Sequence, residues 1–143
     1  MPEFKVILGE EIKDALLKTN RQYLAGHLGK PQILKNIDTT QLEIGISDYE
    51  GGEFEAAHFH PTQTEFQLML WGETEYYDIT NDKAERFKEG DFYCIETNTK
   101  YAQVILKKTR ILFIKTPSVN DKTLCDGTEK YNIWLESYKS LIK

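Results

Sequence analysis

Two histidines and one glutamate have the types and spacing that favour metal chemistry: His58, His60 and Glu65. His58 and His60 lie on one predicted strand, and because side chains alternate along a strand, they should share a face, roughly 6–7 Å apart. Glu65 begins the next predicted strand after a turn at 61–64, so the three side chains can converge across a hairpin. Two imidazoles and a carboxylate are the donor set of many divalent-metal sites and leave positions open for water or substrate.

A simpler interpretation of the two histidines stays open. They can form an inward-facing polar pair without any metal, as buried polar side chains do when hydrogen bonds satisfy them. The third histidine, His27, lies between Gly26 and Gly29 and is predicted to be an exposed loop residue. No second carboxylate or free histidine is predicted on the inward face, so the sequence gives little support for an acid–base pair.

The same alternation predicts which residues line a pocket around the three side chains. The residues expected to face inward are Phe54, Ala56, Gln67, Met69 and Trp71, and if Tyr101 faces inward, so does Gln103. Of these, Gln67, Met69, Tyr101 and Gln103 are the candidate substrate contacts. Gln67 and Gln103 can instead satisfy each other. Apolar walls with a few amide and hydroxyl groups are typical of small-molecule sites.

The elements that must position these side chains are mostly short strands. Leu42, Ile44 and Ile46 alternate with other residues, and Gly51-Gly52 forms a turn before the strand of the histidines. Predicted strands cover about 42–46, 54–60, 65–71, 74–79, 92–95, 102–106 and 110–115, with a turn at 72–73. Short strands at this spacing favour an all-β sandwich or barrel.

Helical spacing of apolar residues appears near both ends of the chain. A short helix is predicted over 10–18, and a C-terminal helix over about 129–142, capped by Asp126 or Thr128. The apolar stripe of the C-terminal helix consists of Tyr131, Trp134, Leu135, Tyr138, Leu141 and Ile142. We expect this stripe to pack on the outside of the barrel, and a homodimer contact is the alternative.

Length and composition set the remaining bounds. The chain has 143 residues, which suits a single domain, and its net charge of −5 argues against a nucleic-acid or anionic-membrane partner. We find no apolar run long enough to span a bilayer and no signal peptide at Met1–Lys5. Cys94, expected to be a buried small side chain, and Cys125, expected in a loop, suggest a reducing cytoplasm.

The region around the histidines resembles the first motif of the cupin superfamily. Gly52, His58, His60, Glu65 and Gly72 match that motif at every fixed position. In cupins the two histidines and the glutamate are metal ligands inside a small antiparallel barrel of the jelly-roll type. The resemblance covers about 40–116 and implies a single cupin domain over 1–143 with one divalent ion, of which zinc, iron, manganese and nickel are candidates.

The second cupin motif is only partly present. Gly90 stands where it should begin, but Glu96, Asn98, Tyr101 and Ile105 replace the usual Pro, Gly, His and Asn. Asn98 is a mild change because asparagine tolerates positive φ. Tyr101 removes the fourth protein ligand. It can ligate as a phenolate, pack as a buried aromatic, or donate a hydrogen bond beside the metal, and we expect a neutral phenol with water in the ligand position.

Three function classes follow from the resemblance. The first is a metal-dependent enzyme acting on a small polar, sugar-type molecule, such as an isomerase or epimerase, in which the metal polarises a carbonyl. The second is an iron dioxygenase, and the third is a barrel that binds a small ligand without turnover. We rank a sugar-type isomerase, epimerase or binding role first. A small-molecule ligand and a homodimer are the expected partners.

Overall fold

The computed structural model describes residues 1–143 and shows eight strands and two helices. All strand pairings are antiparallel and belong to one sheet. The elements in chain order are α1 (Gly9–Lys18), β1 (Arg21–Ala25), β2 (Glu43–Tyr49), β3 (Phe54–Phe59), β4 (Thr64–Asp78), β5 (Lys83–Lys88), β6 (Phe92–Ile95), β7 (Tyr101–Thr116), β8 (Thr123–Leu124) and α2 (Glu129–Ser137). This arrangement confirms the predicted antiparallel β fold with a C-terminal helix.

Two long strands form the backbone of the sheet. β4 and β7 pair with each other from Thr64↔Thr116 to Asp78↔Tyr101. β4 also pairs with β6 near its start and with β5 near its end. β7 pairs with β3 near its start and with β2 near its end. Because each long strand changes partner along its length, the sheet bends, and the ends of β3, β4 and β7 meet around one cavity.

The predicted turn at 72–73 is wrong, since β4 runs through it. The register of β4 against β7 shifts at Met69/Trp71 and again at Trp71/Glu73, which marks a bulged bend rather than a break. Gly72 has a φ of 101°, and a Cβ there would overlap Thr109. The bend also turns Trp71 outward: it is 39% exposed and its ring faces Arg110, contrary to the inward position predicted from alternation.

Sequence patterns missed β1, β5 and β8, and they divided β7 into two strands. β5 has the sequence Lys-Ala-Glu-Arg-Phe-Lys and none of its residues is buried, so it carries no strong apolar alternation. In β7, the polar residues 107–109 resemble a turn, but β2 and β4 supply backbone partners there. Backbone pairing therefore decides these strands, and side-chain patterns do not reveal it.

The helices lie outside the sheet. α1 confirms the predicted N-terminal helix, and α2 is shorter than predicted, ending at Ser137. Thr128 caps α2 by accepting a hydrogen bond from the Tyr131 backbone. Tyr131 and Trp134 pack against the barrel in one cluster with Ala57, Tyr77, Ile79, Ala102 and Val104. Neither helix has the length and apolar character needed to cross a membrane.

Two smaller expectations have different outcomes. His27 is exposed as predicted, and its Nδ1 lies 3.0 Å from an Asp38 carboxylate oxygen. Cys94 is exposed on β6, so its predicted burial is wrong. Cys94 and Tyr93 are neighbours on this short edge strand, so their side chains point to opposite faces of the sheet. Tyr93 is the one that faces the interior.

Candidate metal centre

A cavity of 860 Å³ opens where β1, β3, β4 and β7 come together. His58, His60 and Glu65 all line it, and all three are buried. The structure thus brings the residues of the predicted metal site to one wall of one cavity. Their fractional exposures are 2%, 8% and 3%, so the site lies inside the barrel rather than on its rim.

A bulge in β3 decides which side chains of that strand face the cavity. Between Glu55↔Gln103 and His58↔Tyr101 the register slips, so β3 has one more residue than β7 in that interval. The extra residue interrupts the alternation. Ala56, predicted to face inward, is exposed, and Phe54 packs toward the α2 cluster. Glu55 lines the cavity instead, together with His58.

His58 is held in one orientation by the backbone. Its Nδ1 lies 2.7 Å from the Ala56 carbonyl oxygen, which can only accept, so Nδ1 carries the proton. Its ring lies 4.3 Å from that of Tyr101, centroid to centroid. Burial lowers the pKa of His58, so the imidazole stays neutral, and Nε2 is left with a free lone pair. Nε2 lies 3.9 Å from the Glu55 carboxylate.

His60 lies between two carboxylates. Its Nδ1 is 2.8 Å from Asp121 Oδ1, and its Nε2 is 2.9 Å from Glu65 Oε1. Burial alone would lower the pKa of His60, but the hydrogen bonds to Glu65 and Asp121 raise it above its ordinary value. Asp121 is itself fixed by the backbone amides of Thr62 and Gln63. The hydrogen bonds of Asp121 to the loop at 62–63 therefore set the orientation of this imidazole.

Glu65 is the centre of a buried hydrogen-bond network. Gln67 donates to its Oε2 at 2.9 Å and Tyr101 to its Oε1 at 3.2 Å, while Lys115 Nζ lies 3.8 Å from Oε1. Burial would raise the pKa of Glu65, yet the hydrogen bond from His60 and the charge of Lys115 outweigh it and lower the pKa to about 2. The carboxylate is therefore ionised at neutral pH.

Tyr101 is a neutral phenol in this setting. Burial and the negative charge of Glu65 raise its pKa well above 10, and its hydroxyl donates to Glu65. Burial lowers the pKa of the neighbouring Lys115, and the charge of Glu65 offsets only part of this lowering. The hydroxyl is used by Glu65, and the expected role of Tyr101 beside a metal, with water in the ligand position, stays a prediction.

The donor chemistry fits a divalent ion. Metal-ligating histidines usually give the N–H of the other ring nitrogen to an oxygen acceptor, as His58 does to Ala56 and His60 to Asp121. Glu65 adds an anionic oxygen. The three donors are not gathered round a single point, however, and no group of three His, Cys, Asp or Glu side chains stands ready to hold an ion. The types and orientations of the donor atoms fit a divalent ion, but the three donor atoms do not converge on one position.

The four candidate substrate contacts separate into two groups. Gln67, Tyr101 and Gln103 line the cavity, whereas Met69 is 1% exposed and packs beneath it against Tyr76. The prediction that Met69 contacts substrate is therefore wrong, because its side chain packs in the barrel core and does not line the cavity. Nor do the two glutamines satisfy each other. Gln67 accepts from Tyr76 and Tyr93, and Gln103 donates to Thr74.

Several cavity residues were missed from sequence. Glu55 and Glu43 bring two further carboxylates to the wall, which corrects the expectation that none reaches it, and Arg21 and Lys115 bring positive charge. The bulge in β3 hides Glu55, since regular alternation points it outward. Arg21 lies on a strand that was not predicted. Lys115 shares the alternation of Tyr101 and Gln103, so a single strand through residues 107–109 would have predicted its inward position.

The degenerate second motif keeps its backbone role. Asn98 has a φ of 70° and Gly90 a φ of 88°. The Asn98 amide donates to the His60 carbonyl at 2.9 Å, which ties the loop before β7 to the end of β3. Asparagine thus replaces glycine at a left-handed position, as expected.

Solved structures share this architecture. A cupin superfamily protein from Desulfitobacterium hafniense aligns over 59% of this chain and 74% of its own, with 15% identity and a TM-score of 0.51. The fold is that of the cupins. KdgF from a Halomonas species aligns over 71% and 80% of the two chains, with 17% identity and a TM-score of 0.56.

A third cupin-fold neighbour is the DMSP lyase DddQ from Ruegeria pomeroyi. It aligns over 73% of this chain but only 50% of its own, with 19% identity and a TM-score of 0.58. No known family model matches the sequence, and no curated protein matches it either. At these identities the likeness establishes the cupin fold alone, and this fold supports unrelated functions. The function of this chain therefore depends on the side chains of its cavity.

Proposed function

We propose that this cupin binds one divalent metal ion through His58, His60 and Glu65, and that its cavity takes a small polar, sugar-type molecule. The observation that carries the proposal is the orientation of the two imidazoles. Each gives its Nδ1 proton to an oxygen acceptor. Nε2 of His58 is left for a ligand, and Nε2 of His60 faces Glu65 Oε1 at 2.9 Å, where an ion would take the place of the shared proton. Zinc, iron, manganese and nickel all accept such donors.

The residues of the chain have separable roles in this proposal. His58, His60 and Glu65 would hold the ion, which would supply a Lewis acid that polarises a substrate oxygen. Tyr101 and Gln67 orient the Glu65 carboxylate through hydrogen bonds. Gln103 lines the same cavity and offers an amide oxygen to a hydroxyl-rich molecule, since its amide nitrogen is used by Thr74.

Isomerase or epimerase chemistry needs a group that moves a proton, and Glu55 supplies a candidate. Its carboxylate lies at the cavity wall, 2.6 Å from Lys122 Nζ and 3.9 Å from His58 Nε2. This carboxylate favours the enzymatic interpretation over a barrel that only binds its ligand. A dioxygenase remains the second candidate, because two histidines and one carboxylate are also the ligand set of non-haem iron oxygenases.

Thermal unfolding with and without metal tests the proposal. An ion that binds only the folded state adds about 2.7 kcal/mol when its free concentration is a hundred times the Kd. We expect Zn²⁺, Mn²⁺ or Ni²⁺ to raise the Tm of the wild type and not of His58→Ala. His27→Ala is the matched control and should keep the shift, because His27 is exposed and pairs with Asp38. A shift that survives loss of both His58 and His60 would refute the site.

A homodimer and a cytoplasmic location are also proposals. The stripe on α2 packs against its own barrel, so it no longer supports a dimer. Exposed apolar side chains before α1 support it instead: Phe4, Val6 and Leu8 are 98%, 67% and 58% exposed. The two free cysteines, Cys94 and Cys125, suit a reducing compartment.

A further inference from the structure

Arg21 is the feature of the cavity that the proposed metal site does not use. It is the first residue of β1 and lines the cavity. Its Nε is buried without a hydrogen-bond partner, and no carboxylate pairs with its guanidinium. Arg21 is half-buried, and a guanidinium whose Nε is shielded from water without a hydrogen bond gains free energy from a partner that comes from outside the chain.

The setting of Arg21 brings a second cation close to it. The guanidinium carbon lies 4.5 Å from the centroid of the Phe113 ring, and Lys115 Nζ lies 5.2 Å from the same centroid. Gly45 makes room for that ring, because a Cβ there would overlap it. Two positive groups held on one aromatic ring repel each other, and an anion between or beside them would relieve that repulsion.

The other charges of the cavity are already partnered or exposed. Lys122 pairs with Glu55 at 2.6 Å, and Lys115 lies 3.8 Å from Glu65. The charged residues of the wall are Arg21, Lys30, Lys115 and Lys122 against Glu43, Glu55 and Glu65. The wall is thus slightly positive although the chain carries a net charge of −5. Such a local excess draws anions to the site.

We infer that the cavity binds a small molecule carrying a carboxylate, with Arg21 as the group that anchors it. The inference rests on the proposed function, because it assigns the substrate class of the same cavity. A guanidinium presents parallel N–H donors that match both oxygens of a carboxylate, whereas a neutral hydroxyl can use only one of them. The two Nη groups are not sealed from the cavity and make no hydrogen bond within the chain, so they can provide these donors.

Matched pairs of probes test the inference. Glucuronate and glycerate are compared with glucose and glycerol, which carry an alcohol where the acids carry a carboxylate. Affinities are measured by calorimetry for chelator-treated and for metal-loaded protein. We expect each acid to bind the wild type ten- to a hundred-fold more tightly than its neutral counterpart, as charged hydrogen bonds allow. This preference should be present without metal.

Variants of two arginines identify the anchor. Arg21→Gln should lose the preference for the acids, and Arg86→Gln should keep it, since Arg86 lies on β5 and is 54% exposed, away from the cavity wall. Arg21→Lys keeps the positive charge but loses the parallel N–H donors, so its preference for the acids should be weaker than that of the wild type. This variant provides the test if Arg21→Gln does not fold. Equal binding of acids and neutral probes to the wild type, or an unchanged preference in Arg21→Gln, overturns the inference.

Metal content separates this inference from the function on which it rests. Arg21→Gln should retain as much metal as the wild type, because Arg21 touches none of the proposed ligands. If the wild type holds no metal but prefers acids through Arg21, the metal proposal fails and the anion site stands. If metal binds through His58 and His60 but the acids gain nothing from Arg21, the anion site fails alone.

Discussion

At the residue scale, Tyr101 is where this chain departs most from the cupin pattern. Its hydroxyl donates to Glu65, and burial with the charge of Glu65 raises its pKa well above 10. Ionising it to form a ligand would oppose both effects. We therefore expect Tyr101→Phe to leave metal content nearly unchanged and to weaken ligand binding. Loss of metal in this variant, or a phenolate charge-transfer band in iron(III)-loaded wild type, would contradict this role.

Glu65 gives a prediction for stability against pH in chelator-treated protein. Its pKa is about 2 when folded, against 4.5 ordinarily, so it contributes stability above about pH 4.5 that is lost as the pH falls toward 2. The contribution is about 3 kcal/mol at most. Glu65→Gln should flatten the acid limb of the unfolding free energy measured in urea. Glu136→Gln, at an exposed position, should match the wild type, and equal acid limbs for all three proteins would contradict the prediction.

The same residues show how far the sequence predicts the site. His58, His60 and Glu65 reach one cavity wall because their spacing needs only one strand and one turn, which local pattern reveals. Glu55 and Arg21 escaped prediction since a β-bulge and an unpredicted strand place them. Such features depend on backbone partners distant in sequence.

At the element scale, α2 stabilises the outer face of the barrel. Trp134 is 8% exposed, packs against Tyr77, and donates from Nε1 to Glu75 at 2.7 Å. Trp134→Ala removes this burial and leaves a cavity, so we expect it to cost about 3–5 kcal/mol of unfolding free energy. Ile133→Ala, at 67% exposure on the same helix, should cost under about 0.5 kcal/mol. Urea unfolding measures both, and equal costs would contradict the packing described.

The strands show why local alternation predicts the fold class better than the element boundaries. β2, β3 and β6 were found because apolar residues mark them. The bends of β4 at Gly72 and of β7 at Thr109 resemble turns in sequence, yet they face each other and keep both strands continuous. The pairing of these two bends cannot be predicted from either strand's sequence alone, because it depends on the register between β4 and β7.

At the scale of the whole molecule, the segment before α1 gives a test of the dimer. Phe4, Val6 and Leu8 alternate along an exposed stretch without regular secondary structure, and such exposed apolar side chains suit contact with a second copy of the chain. We expect light scattering to give twice 16.7 kDa for the full chain. A variant lacking residues 1–8 should give the monomer mass. A full chain that remains at 16.7 kDa across a concentration series would contradict the dimer.

The cupin fold brings the three proposed metal ligands, the hydrogen-bond network of Glu65 and the Arg21 guanidinium to one cavity. Elemental analysis of the tag-free protein, purified without added metal, tests the metal most directly. We expect about one equivalent of a divalent transition metal in the wild type. The double variant His58→Ala/His60→Ala should contain almost none. A wild type without metal, or a double variant that retains it, would contradict the proposed centre.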